Sequence, residues 1–140
     1  MLDQSNVHSH SEHTERDLDR LLSARKKKKI MVIDDDLDHR LIVAEMLVNA
    51  GFSVTTAKDG EIGLNTLLLN NDRPDLIILD LAMPTKDGLA FRKEQKEIGD
   101  ISHIPVLFVT GQGYVEGEKC LLKPVEERDV VNTVQQMLDI

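Results

Sequence analysis

Residues 76–88 read LIILDLAMPTKDG. Four consecutive apolar residues run into Asp80, and a Met-Pro step and an Asp-Gly pair follow. An unbroken apolar run, entered from the breaker Pro74, marks a strand buried on both faces, as in a parallel sheet covered by helices. An alternating run would instead mark a sheet with one wet face. Asp80 then sits at the carboxyl end of a buried strand, where open α/β sheets place their ligand sites.

The same texture recurs on either side. Ile30 to Ile33 run into Asp34, Asp35 and Asp36; Pro105 to Val109 run into Thr110; Cys120 to Leu122 form a short run into Lys123. Phe52 to Thr56 read as a further strand. Between these runs, Ile42, Val43, Met46, Leu47 and Ala50 recur at helical spacing until Gly51 stops them. Asp59 caps a helix carrying Ile62, Leu64, Leu67 and Leu68. Gly88 to Ile98 read as helix, and Val131, Val134 and Leu138 form the buried stripe of the last one. Strands alternating with helices predict an α/β fold: a doubly wound five-stranded parallel sheet of flavodoxin-like order 2-1-3-4-5, with right-handed crossovers.

The 140 residues suit one core, and 41% of them are apolar, enough to fill it. Residues 1–29 differ from the rest. They predict a flexible polar tail with one helical turn around Asp17 to Ala24, ahead of a folded domain at 30–140. His8, His10 and His13 are expected to be solvated tail residues rather than metal ligands. Lys26 to Lys29 is expected to be a solvated flank, since Asp and Glu outnumber Lys and Arg 25 to 17 and the net charge of −8 opposes direct nucleic-acid binding. The lone Cys120 excludes an internal disulfide and fits a reducing compartment. No apolar run is long enough for membrane insertion, and no signal peptide is evident, so a cytoplasmic location is expected.

The predicted topology brings Asp34, Asp35, Asp80, Thr110 and Lys123 to one crevice. Carboxylates about 4 Å apart repel by about 4 kcal/mol at an effective dielectric near 20, so the crevice calls for positive charge. Lys123 supplies one charge, and hard oxygen ligands suit Mg²⁺. An ionised Asp80 could attack a phosphoryl group to form an aspartyl-phosphate, with Lys123 and the Thr110 hydroxyl facing the developing charge.

These residues carry a family resemblance. The segments VIDDD at 32–36, LIILDLAMPTKDG at 76–88, PVLFVTG at 105–111 and LLKP at 121–124 together resemble the receiver domains of two-component response regulators, over residues 30 to 140. The D-x-x-M-P-x-x-D-G run is the most specific of them. The resemblance implies Asp80 as phosphoacceptor, and Asp35 as a direct ligand of Mg²⁺ (or Mn²⁺). Asp34 would hold the metal through water, and the backbone carbonyl of Ala82 would complete the protein ligands. It further implies Thr110 as switch hydroxyl, Lys123 as phosphate-binding lysine followed by a cis bond to Pro124, and Gly111 as a small residue leaving the phosphoryl group room. The implied phosphodonor is a sensor histidine kinase or a histidine phosphotransfer protein.

Three departures stand beside the resemblance. Lys123 follows Thr110 by only 13 positions, and residues 111–118 hold three glycines, each unfavourable in a helix by up to about 1 kcal/mol. The fourth helix of the family is therefore expected to be absent or reduced. Cys120 stands where the family usually has an aromatic, and Tyr114, the only tyrosine, lies in the shortened loop. The helix carrying RKEQKE at 92–97 is polar almost all round, which predicts a short helix or an outer face that meets a partner. Asp36 and Asp38 are expected to cap or favour a helix start, Asp87 to form a turn before Gly88, and Cys120 to be a small buried apolar residue.

With sixteen residues after Pro124, the expected function is a stand-alone response regulator receiver. It would not be an enzyme beyond its own phosphorylation and dephosphorylation, and would act as a signalling switch or relay intermediate on an unknown downstream protein. Two alternatives compete. One is a binding module that keeps the fold but signals without phosphoryl transfer. The other is a phosphatase with an aspartate nucleophile, which would call for a cap and a longer chain.

Overall fold

The computed structural model describes residues 14–19 and 26–140. The elements run β1 (Lys29–Ile33), α1 (Leu37–Asn49), β2 (Ser53–Ala57), α2 (Gly60–Leu69), β3 (Leu76–Leu79), α3 (Gly88–Glu97), β4 (Val106–Thr110), β5 (Lys119–Leu122) and α4 (Glu127–Leu138). All strand pairs are parallel, and the order is β2-β1-β3-β4-β5. Residues 14–19 are helical, which agrees with the expected turn at Asp17 to Asp19. The rest of that turn and the three tail histidines lie outside the described residues.

The unbroken apolar strands serve two cores. Met31, Ile33, Ile77, Leu79, Val106 and Phe108 face α2 and α3, where they meet Leu64, Leu67 and Phe91. The residues between them (Ile30, Val32, Leu76, Ile78, Leu107 and Val109) face α1 and α4, where they meet Val43, Leu47, Val130 and Val134. Successive side chains on a strand point to opposite faces, so a sheet covered on both sides needs every position apolar.

The helices bury narrower stripes than their periodicity suggests. Ile42, Ile62 and Leu68 are exposed, while Gly60 and Gly63 are buried on α2. A Cβ at Gly63 would fall 2.5 Å from Ile33 Cδ1, so glycine lets α2 sit close against β1. On α4 the fully buried residues are Val130, Thr133 and Val134, with Val131 and Leu138 only half-buried. The helix ends follow local chemistry. Asp36 accepts from the Asp38 and His39 amides, Asp59 accepts from Ile62, and Gly51 leaves α1 at φ +97°. Asp87 is the N-cap of α3, accepting from the Ala90 amide at 2.8 Å, rather than a turn residue alone.

The connection from β4 to β5 holds no helix. Gly113 and Gly117 take φ values of +100° and +76°, a region that side chains disfavour, so the chain can turn within eight residues. Two anchors hold it down. Val115 packs on the core beside Phe91's cluster, and its amide donates to Cys120 Sγ at 3.2 Å. Cys120 is thus half-buried and hydrogen-bonded rather than a fully buried apolar residue. Glu118 receives Arg92 Nε at 2.9 Å and Lys96 Nζ at 3.1 Å. The polar helix α3 runs ten residues, with Gln95 turned into the core and Arg92 and Lys96 engaged by Glu118. Gln95, fully buried, donates to the carbonyls of Ile101 and Ile104 at 3.0 and 2.8 Å. Tyr114 is 78% exposed, so its ring does not take the place of an aromatic at position 120.

Burial pushes the Glu118 carboxyl up, but Arg92 and Lys96 more than offset this and hold it below its usual range. Its contribution is therefore present above the ordinary glutamate value and is lost as pH falls through the lower folded-state value. Glu118→Gln should lower unfolding free energy by about 1 kcal/mol at pH 7 in urea denaturation. Wild type and variant should converge under strongly acidic conditions.

Candidate functional site

Backbone hydrogen bonds that continue the sheet deliver each side chain to the crevice. The Asp34 amide donates to Ala57 O at 3.2 Å, Asp80 to Ile33 O at 2.9 Å, and Lys123 to Thr110 O at 2.9 Å. Three residues that look like loop positions are thereby held as firmly as strand residues. Gly88 closes the site from below. A Cβ there would fall 2.4 Å from the Asp80 carbonyl, so α3 can start against Asp80 only with glycine. Lys86, between Pro84 and α3, pairs with Glu61 of α2 and Glu94 of α3 and pins the loop that follows Asp80.

Asp34, Asp35 and Asp80 each place a carboxylate oxygen within 4.8 Å of the others. Asp34 and Asp80 are buried, whereas Asp35 is exposed. Lys123 Nζ lies 3.0 Å from Asp34 Oδ2 and 3.5 Å from Asp80 Oδ1. Asp80 Oδ1 also accepts from the Leu81 amide at 2.9 Å. Ala82 lines an open cavity of about 550 Å³ together with Asp35, Met83 and Gln112. Thr110 is fully buried at the end of β4, and its hydroxyl accepts from the Gln112 amide at 3.1 Å. The bond from Lys123 to Pro124 is cis, and a Cβ on Gly111 would meet nothing within 4 Å. The crevice thus assembles the aspartates and Lys123 directly, with Thr110 on the adjacent strand end.

The charges do not balance: three carboxylates face one lysine. Burial and the neighbouring charge of Asp34 push the Asp80 carboxyl up to about 6, against the pull of Lys123. Burial also acts to raise Asp34, but the Asp36 amide, Lys123 and His39 outweigh it and hold Asp34 below its usual range. Burial acts to lower Lys123, and its two aspartates more than reverse that. Two buried carboxylates and one facing solvent, all hard oxygen donors with excess negative charge, fit a hydrated divalent cation such as Mg²⁺ or Mn²⁺.

The profile of the response regulator receiver domain matches residues 30–135. The chain belongs to this family. Among solved receivers, chemotaxis protein CheY4 of Vibrio cholerae superposes with a TM-score of 0.71 at 28% identity, over 79% of this chain and 98% of that one. Among curated relatives, response regulator MprA of Mycolicibacterium vanbaalenii is 37% identical over 87 residues, which is 62% of this chain and 36% of MprA. Transcriptional regulatory protein CpxR of Klebsiella pneumoniae is 31% identical over 119 residues, 79% of this chain and 49% of CpxR. The chain spans about a third to a half of the length of the curated relatives it matches. Among the described residues no helix is long and apolar enough to cross a membrane.

Two residues at this receiver's site are not evident from the motifs. His39 Nδ1 lies 2.6 Å from Asp34 Oδ2, and Arg40 donates to the Asp34 carbonyl at 2.7 Å. The signal for both was the short spacing from Asp34 through the Asp36 cap. That spacing folds the first turn of α1 back over the end of β1.

In the folded, metal-free protein Asp80 binds its proton more tightly than the usual 3.8. Stability is therefore lost as pH rises from about 4 to about 6 and stays lost above that. Asp80→Asn removes the penalty. It should raise metal-free stability by on the order of 1 to 3 kcal/mol at pH 7.5, and the gain should vanish below pH 4, as read by urea unfolding in EDTA.

Proposed function

We propose that this receiver accepts a phosphoryl group on Asp80 and acts as a phosphorylation-dependent signalling switch or relay intermediate through protein–protein interaction. The supporting observation is the convergence of Asp80 with Asp34, Asp35 and Lys123 at the strand ends, with Asp34, Asp80 and Lys123 fixed by the sheet backbone. Asp34, Asp35 and Asp80, with the Ala82 carbonyl, would hold Mg²⁺ or Mn²⁺, which supplies positive charge opposite the transferred oxygens. An Asp80 carboxylate oxygen attacks phosphorus as the bond to the donor's imidazole nitrogen breaks, and the imidazole takes a proton from solvent. Lys123, already 3.5 Å from Asp80, turns to the new phosphoryl oxygens and stabilises their charge. The Thr110 hydroxyl exchanges its bond from the Gln112 amide for a bond it donates to the phosphoryl group. The protein is on this reading no enzyme beyond its own phosphorylation and dephosphorylation, and its donor is a histidine kinase or phosphotransfer protein.

The loop carrying Gln112 has no helix to repack, so the response should lie in residues 111–118. Amide exchange there should change with a phosphoryl mimic; unchanged exchange would sink this part of the proposal.

Wild type and Asp80→Asn are to be incubated with Mg²⁺ and acetyl phosphate and weighed intact. A phosphoryl adduct on wild type alone, abolished by EDTA and slowed roughly 10²-fold or more by Lys123→Ala, is expected. No adduct on wild type would favour a binding module that works without phosphoryl transfer.

A further inference from the structure

We propose that His39 is the positioning residue that holds Asp34 in its metal-binding orientation. The inference rests on the reading that the acidic crevice binds a divalent cation. Asp34 is fixed by three donors. The Asp36 amide meets Oδ1 at 3.0 Å, while Lys123 Nζ at 3.0 Å and His39 Nδ1 at 2.6 Å both meet Oδ2. Lys123 is shared with Asp80 and is the group that turns to an incoming phosphoryl oxygen. Among the described residues His39 shows no such second side-chain attachment. Its backbone amide is tied to the Asp36 cap at 3.3 Å, and the next residue, Arg40, clamps the Asp34 carbonyl. The first turn of α1 thus grips Asp34 by side chain and backbone together. When Lys123 turns away, the imidazole keeps Oδ2 in place.

The other face of the ring gives it no second polar role. His39 Nε2 is buried and has no hydrogen-bond partner among the described residues. A buried ring nitrogen without a partner is unfavourable, and an apolar side chain of similar size would avoid that cost. Among the described residues the ring's hydrogen bonding therefore runs through Nδ1 to Asp34. Hydrogen-bond partners of metal ligands commonly set metal affinity by one to two orders of magnitude.

The test uses the full chain as wild type, His39→Leu and His39→Asn. Mg²⁺ is titrated by calorimetry, and thermal unfolding is recorded in EDTA. The Asn amide nitrogen can take the place of Nδ1, whereas Leu cannot donate. His39→Leu should weaken Mg²⁺ binding about tenfold or more while the variant stays folded in EDTA, its metal-free melting temperature lowered only modestly by loss of the Nδ1–Asp34 bond. His39→Asn should restore most of the affinity. The inference is overturned if wild type binds Mg²⁺ and the Leu variant binds it within about twofold. It is equally overturned if the Leu variant is unfolded in EDTA, or if His39→Asn binds Mg²⁺ as weakly as His39→Leu, since donation to Asp34 is then not what His39 contributes. Wild type that binds no Mg²⁺ refutes the reading of the crevice itself, and this inference with it.

Discussion

Mutual repulsion among Asp34, Asp35 and Asp80 is the constraint around which the rest of this molecule is arranged. Flexible loops would relieve it by moving the carboxylates apart. The sheet does not allow that, because the Asp34 and Asp80 amides are tied into the ladder beyond the last strand residues. Gly88 brings α3 hard against the Asp80 carbonyl, and Lys86 binds the intervening loop to two helices. The repulsion is thereby stored in the folded state, with Lys123 as a partial counterweight and Asp80 pushed up to about 6. Stability spent in this way at a site is a common mark of function.

The division of labour between the two buried aspartates follows from their neighbours. Asp34 has an amide, a lysine and an imidazole on its carboxylate and stays ionised below its usual range. Asp80 has one amide and the far end of the same lysine, so it carries the unbalanced charge. On the proposed reading, two identical side chains a few ångströms apart take different tasks: Asp34 helps to hold the metal, and Asp80 is the nucleophile whose charge is relieved when a cation or a phosphoryl group arrives.

Much of the fold was legible because its strongest signals are periodic. The unbroken runs at 30–33, 76–79 and 106–109 could hardly belong to anything but a sheet covered on both faces, and each ended where the chemistry begins. Helix faces were less legible. On α2 Gly63 lies against the Ile33 side chain of β1, and a hydrophobicity pattern gives no weight to a residue that has no side chain. On α3 the polar residues proved structural: Gln95 caps two buried carbonyls and Arg92 holds Glu118. Composition alone assigns such residues to solvent. At the site, the strand-end residues could be placed from the sequence, but His39 could not. Its role depends on how the Asp36 cap turns the first helical residues back toward Asp34.

The crossover between β4 and β5 shows what must be kept when a helix is removed. A helix at that place would cover the core beside Phe91 and satisfy its own backbone. Here Val115 covers the core, Cys120 Sγ takes the Val115 amide, and Glu118 fastens the end of the segment to α3. The start of the same segment is fastened to Thr110 through the Gln112 amide. The loop is therefore held at two points, one at the acidic crevice and one on the Arg92–Lys96 face of α3. On the proposed reading, drawing the Thr110 hydroxyl toward Asp80 frees the first point and leaves the second. The displacement must then be taken up between them, at Gly113 and Tyr114, where nothing packs tightly enough to resist it.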